Sequence, residues 1–240
     1  MRESLHLFRD WWRDLAEALL PTACAACGRP SHDALCVQCR SGLPGLPPDA
    51  PGPAPAPLAG WAMGAPFEGA WAVWIRRFKY PIPGLAGLDP AAEAVALELL
   101  LRAARVAPGG RPSAVVAVPQ HPARLRARGF HPSGALAEAL GRHHALPVLR
   151  RAVVRLRDTP SQTGLSRSGR RRNVAGAFGP GAEPLPRRIW LVDDVATTGH
   201  TLAATARAAR AAGARRVVAL CAAFTPSPSA TSSDGERPPR

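Results

Sequence analysis

The sequence predicts an α/β domain, a central parallel sheet flanked by helices, preceded by a small four-cysteine module. Three observations carry this expectation. The runs Ala114–Val118, Ile189–Val192 and Val217–Cys221 are short and continuously apolar, as parallel strands covered on both faces are. Helical patterns alternate with them, which is the order of a parallel sheet with crossover helices. Four of the five cysteines form two CxxC pairs, Cys24/Cys27 and Cys36/Cys39. With 240 residues, 46% of them hydrophobic, the chain can build one core and a small appendage.

Residues 1–43 form the first unit. Leu5, Phe8, Trp12, Leu15, Ala16 and Leu19 recur at helical spacing, so residues 4–20 are expected to be an amphipathic helix. Asp10, Asp14 and Glu17 favour docking on the protein itself or on a partner over lying on a membrane. The two CxxC turns that follow can supply four thiolates to one tetrahedral zinc. Gly28 and Gly42 leave room for tight turns. Clustered CxxC pairs point to metal rather than disulfides, the competing reading being a redox pair. Four sulfurs leave no open coordination position, so such a zinc is structural.

Residues 44–59 carry seven prolines, more than a helix or sheet tolerates, and read as an extended linker. The main domain is expected over residues 60–224. A helix at 69–79 places Trp71, Trp74, Ile75 and Phe78 on one face. Asp89-Pro90 is a fitting cap and first-turn pair for a helix over 89–106. The strand 114–118 is followed by a helix over 132–145, opened by His131-Pro132-Ser133, and a Val-rich strand within 148–156. Residues 157–173 are polar and aperiodic, the pattern of a lid or binding loop. The strand 189–192 leads into a helix over 200–212, ended by Gly213, and the strand 217–221 closes the sheet. Cys221 ends that strand as a core residue. Residues 225–240 are rich in Pro, Ser and Thr and are expected to be a disordered tail.

The densest chemical signal is Val192-Asp193-Asp194-Val195-Ala196-Thr197-Thr198-Gly199-His200-Thr201. An apolar strand, two carboxylates, a Thr-Thr-Gly turn and a helix follow one another. In open α/β sheets ligands sit beyond the carboxyl ends of strands. The backbone N–H groups of Ala196 to Thr201, the threonine hydroxyls and the positive end of the helix make a phosphate cup. Asp193 and Asp194, one step earlier, suit vicinal ribose hydroxyls or a metal bound to them. After the strand 114–118 come Arg124, Arg126 and Arg128, whose guanidinium forks match a pyrophosphate.

The ten-residue run resembles the phosphoribosyl-pyrophosphate-binding motif of type I phosphoribosyltransferases. That resemblance implies that Asp193 and Asp194 hold the ribose hydroxyls. It gives the 5-phosphate to the loop of Ala196, Thr197, Thr198, Gly199, His200 and Thr201. His200 stands where the motif varies and inherits no role. Two further segments, Val118–Phe130 and Arg155–Val174, together with the cysteine module, resemble the ComF family of phosphoribosyltransferase-like competence proteins over residues 20 to 224. The chain departs from that family at His131-Pro132 and at Pro81-Ile82-Pro83-Gly84, so contacts from those places are not carried over. The resemblance implies a type I phosphoribosyltransferase fold, phosphoribosyl pyrophosphate with Mg²⁺ as ligand, and structural zinc.

Two functions follow from it. One is transfer of ribosyl phosphate to an acceptor, with pyrophosphate leaving toward Arg124, Arg126 and Arg128. The other is an accessory role in DNA uptake, with single-stranded DNA and a helicase-like partner. The formal net charge of +14 suits phosphate or nucleic acid. Lys79 is the single lysine, so an arginine-biased composition explains the charge equally well. No apolar run approaches ~18 residues, so no membrane span is expected. The scattered N-terminal charges do not make a signal peptide, and the expected location is the cytoplasm.

Overall fold

The structure, a computed structural model, describes residues 22–24, 26–33, 35–42, 52–80, 89–158, 174 and 176–225. The expected helix at 4–20, the first part of the linker, most of the polar stretch 157–173 and the tail beyond Thr225 lie outside these residues.

The chain runs β1 (Thr22–Ala23), β2 (Pro30–Ser31), α1 (Val37–Ser41), β3 (Gly60–Pro66), α2 (Gly69–Lys79), α3 (Pro90–Arg105) and β4 (Ala114–Ala117). It continues through α4 (Pro122–Arg128), α5 (Pro132–His144), β5 (Val153–Arg155), β6 (Phe178–Pro180), β7 (Arg188–Ala196), α6 (His200–Ala211) and β8 (Arg216–Phe224). Four strands form one parallel sheet in the order β3-β8-β7-β4. One face packs Ile75 and Phe78 of α2, Leu99 and Leu100 of α3 and Leu136 and Leu140 of α5 against Val192 and Leu220. The other packs Leu202 of α6 and Val153 and Phe178 of the β5–β6 ribbon against Leu191 and Cys221. The sheet is thus covered on both faces, as the continuous apolar runs require. The α/β expectation holds, and Cys221 is buried.

Local chemistry sets the element ends. The Asp89 carboxylate accepts from the N–H groups of Ala91 and Ala92 and caps α3, with Pro90 in its first turn. Gly213 adopts φ +112° after α6, a conformation that ends a helix without Cβ strain.

Four expectations need correction. Gly60–Pro66 is a full strand, although Gly-Trp-Ala-Met-Gly-Ala-Pro lacks the β-branched residues that mark one; pairing with β8 and burial of Met63 make it so. The sheet strand does not stop at Val192 but runs to Ala196, so Asp193 and Asp194 belong to β7. The 148–156 region splits into a single bridge from Val148 to Val115 and the short β5, which pairs antiparallel with β6 outside the main sheet. Arg124, Arg126 and Arg128, expected to act together on a pyrophosphate, lie on a helix, α4, which does not put all three on one face.

The closest approach of helix to sheet is at Gly64. A Cβ there would sit 2.1 Å from the Leu99 carbonyl oxygen and 2.6 Å from that of Ala222, both backbone atoms that cannot swing away. Gly64→Ala is expected to lower unfolding free energy by about 1–3 kcal/mol, read from the midpoint of chemical denaturation.

Candidate functional site

A cavity of about 370 Å³ opens beyond the carboxyl ends of β4 and β7. Its floor is the acidic pair. Ser133, in the first turn of α5, donates from Oγ to Asp193 Oδ1 at 2.7 Å, and the Asp194 N–H donates to the same oxygen at 3.0 Å. Asp194 accepts from the Val195 N–H at 2.6 Å. Lys79, the last residue of α2, places Nζ 3.0 Å from Asp194 Oδ1. Two helices and a strand therefore deliver the groups that hold two adjacent carboxylates.

Burial and the neighbouring Asp194 charge raise Asp193 from 3.8 to about 7, against the hydrogen bond from Ser133 and the charge of Lys79. Burial opposes the charge on Lys79, but the two carboxylates outweigh it and raise its pKa. His131 lies on the cavity wall, and its Nε2 donates to the Val118 carbonyl oxygen at 2.9 Å. Burial lowers its pKa.

One side of the cavity is the loop after β7. Ala196, Thr197, Gly199 and Thr201 line it. Thr198 and His200 do not; Thr198 Oγ1 and His200 Nδ1 pair with each other at 2.9 Å. Gly199 sits at φ +72°, and a Cβ there would lie 2.7 Å from Pro55 and 2.8 Å from Trp61. The loop is thus backed by the end of the proline-rich segment, which Trp61 Nε1 holds by donating to the Gly52 carbonyl at 2.8 Å. The helix α6 starts at His200, so the positive end of its dipole lies at this wall.

The opposite wall is basic. Arg124 and Arg128 are four residues apart and share a face of α4, and both line the cavity together with Arg155. Arg126, two residues from each, is exposed and lies outside it. Arg124 pairs with Asp158 at 3.2 Å, and Arg128 lies 5.0 Å over the Tyr80 ring. The sequence did not single out Ser133 or Arg155 for the site, and Lys79 stood out as the lone lysine and as part of the family-like segment Phe78-Lys79-Tyr80, without a role at the acidic pair. Ser133 directly follows the His131-Pro132 departure, and Lys79 directly precedes Tyr80 and the other. Chemically the cavity offers hydroxyl acceptors on its floor, an N–H cup on one side and guanidinium groups on the other.

The second centre is the cysteine module. The sulfurs of Cys24, Cys27, Cys36 and Cys39 all lie within 4.8 Å of one another, placed to bind a metal ion. The Cys27–Cys36 sulfur separation is 3.8 Å, close to the edge of a tetrahedron with metal–sulfur bonds of ~2.3 Å. The N–H groups of Cys36 and Cys39 donate to the sulfurs of Cys24 and Cys36 at 3.3 and 3.4 Å. Burial resists ionisation of Cys24, but backbone donors led by Cys36 outweigh it and lower the thiol to about 6. Among the described residues, this is the one cluster of three or more His, Cys, Asp or Glu side chains able to hold a metal. No described helix is long and apolar enough to cross a membrane.

Competence protein F of Haemophilus influenzae is 36% identical over 109 residues, 44% of this chain and 48% of that protein. DNA utilization protein YhgH of Escherichia coli K12 is 36% identical over 110 residues. The chain is a homologue of these two proteins over the matched part. The match spans about half the length of either relative. The YhgH protein of Salmonella typhimurium aligns over 82% of this chain and 88% of its own, at 28% identity. No protein-family model matches the chain.

The raised pKa of Asp193 has a stability consequence. Between 3.8 and about 7 the folded carboxyl keeps a proton that the unfolded one has lost, so stability falls as pH rises through that window and stays reduced above it. Asparagine keeps an acceptor for Ser133 and for the Asp194 N–H but has no charge to bury. Asp193→Asn is expected to raise the melting temperature clearly at about pH 8 and little at about pH 4. An equal gain at both would remove the electrostatic explanation.

Proposed function

We propose that the cavity binds phosphoribosyl pyrophosphate. The observation that carries this reading is the convergence on one cavity of the acidic pair, the threonine loop and two arginines of α4. The 5-phosphate fits the loop from Ala196 to Thr201, with the α6 N-terminus behind it. The ribose hydroxyls donate to Asp193 and Asp194. The pyrophosphate faces Arg124, Arg128 and Arg155, with Asp158 released from Arg124 on binding. Arg126 takes no part. Lys79 Nζ, 3.0 Å from Asp194 Oδ1, would compete with a divalent metal for that oxygen. Mg²⁺ carried by the pyrophosphate would neutralise charge on the leaving group.

In the transferase reading, the bond from ribose C1 to pyrophosphate oxygen breaks and pyrophosphate takes the electron pair. An acceptor nucleophile forms the new bond to C1. Positioning and charge stabilisation supply the rate enhancement. The cysteine module holds a structural zinc, in keeping with its four-sulfur donor set.

Calorimetry with phosphoribosyl pyrophosphate and Mg²⁺ tests the site. Wild type is expected to bind, Asp193→Ala to lose binding, and Arg124→Ala to weaken it by about ten- to a hundredfold. Arg126→Ala is expected to leave it unchanged. Absence of binding by wild type would refute the reading.

A second reading is favoured by the relatives' names, Competence protein F and DNA utilization protein, and by the net charge of +14. The protein acts in DNA uptake in the cytoplasm, contacting single-stranded DNA and a helicase-like partner, with the phosphoribosyl site as a ligand sensor. Affinity for an oligothymidylate, read by fluorescence anisotropy, should fall steeply with added salt. It should also fall when the zinc is chelated. Affinity indifferent to both treatments would remove this reading.

A further inference from the structure

The chain carries 31 lysines and arginines, and a single one is lysine. A composition that writes almost every cation as arginine keeps an ammonium at position 79. Lys79 lines the cavity and contacts the acidic pair. Its side chain is 22% exposed and that of Asp194 is 9% exposed. The end of α2 that carries it is held in three ways. Phe78 packs edge-on against Phe130, Arg77 pairs with Asp89 at 2.6 Å, and the Tyr80 N–H donates to the Arg76 carbonyl. The ammonium is a compact point charge, whereas a guanidinium is a wide planar fork. The ammonium reaches Asp194 Oδ1, the oxygen to which the Val195 N–H also donates.

A divalent cation would want the same place. Hard cations bind carboxylate oxygens, and Asp194 Oδ1 is the oxygen that Lys79 holds. Asp193 Oδ1 is taken by Ser133 and by the Asp194 N–H. No third acidic, histidine or cysteine side chain joins the pair into a metal-binding cluster among the described residues.

We propose that Lys79 is the resident cation of the ribose site, standing at Asp194 where a metal would otherwise stand, so that the acidic pair holds a ribose 5-phosphate without any divalent ion. Lys79 is then a positioning residue. It keeps the Asp194 carboxylate charged and aimed at the cavity, and it confines any metal to the pyrophosphate of a larger ligand. This rests on the phosphoribosyl reading of the cavity and deepens it.

The test is calorimetry of the full chain with ribose 5-phosphate. It is run in buffer freed of divalent ions on a chelating resin, then with Mg²⁺ added, which leaves bound zinc undisturbed. Wild type is expected to bind equally well in both. Lys79→Met is expected to bind at least about tenfold more weakly without metal and to recover when Mg²⁺ fills the vacated place. Wild-type binding that collapses without Mg²⁺ overturns the proposal, whether or not the variant folds. So does a Lys79→Met protein that melts like wild type yet is not rescued by Mg²⁺. If wild type binds phosphoribosyl pyrophosphate with Mg²⁺ but ribose 5-phosphate only with metal, Lys79 fails and the cavity reading stands. If it binds neither ligand, the cavity reading itself fails.

Discussion

Two carboxylates, adjacent in sequence, sit at the carboxyl end of a central strand, Asp194 buried and Asp193 half-buried. Taking such charges out of water costs several kcal/mol each unless partners replace the lost hydration. Much of the molecule around β7 supplies those partners. The last residue of α2 brings an ammonium, the first turn of α5 brings a hydroxyl, and the strand's own N–H groups supply the rest. The compensation is incomplete, since burial and mutual repulsion still hold Asp193 near neutrality. Shifted carboxylates of this kind cluster at ligand sites, although structural ion-pair networks shift pKa values too. A ligand that donates hydroxyls into the pair relieves what the fold leaves unresolved.

What was legible in the sequence follows from locality. The phosphate loop is contiguous, so its carboxylates, threonines and glycine could be read in order. The four cysteines were legible for the same reason, their spacing being a property of two short turns. Lys79 and Ser133 lie 115 and 60 residues from the carboxylates they touch, and the fold alone joins them. The arginines failed in a different way. Alternate spacing suggests a common side only in an extended chain; on the helix α4 it puts Arg126 opposite Arg124 and Arg128. The strand β3 was missed because Gly64 and its small neighbours answer to the close passage of α3 rather than to strand propensity.

The region read as an N-terminal unit and linker also bears on the site. Leu35 and Cys24 are buried in the same core as α3. Arg40 reaches Glu98 of α3 at 3.1 Å, with Arg105 at 3.8 Å on the same oxygen. Glu98 is 8% exposed, so removing Arg40 would leave a buried carboxylate with a distant and exposed partner, the costly half of breaking such a pair. The module therefore contributes a charge that the main core needs, beyond holding a metal.

The end of the proline-rich segment works in the same direction. A free spacer would touch nothing, yet Pro55 stands where a Cβ on Gly199 would be, beside Trp61. The left-handed turn at Gly199 aims the loop into the cavity, and that conformation is open to glycine at little cost. Proline behind the loop keeps it from relaxing outward, because a pyrrolidine ring is rigid and loses little entropy on packing. The shape of the phosphate cup thus depends on Pro55 and Trp61, 144 and 138 positions upstream of Gly199. A substitution that loosens Pro55 or Trp61 would act on ligand affinity through the loop, without touching any group that meets the ligand.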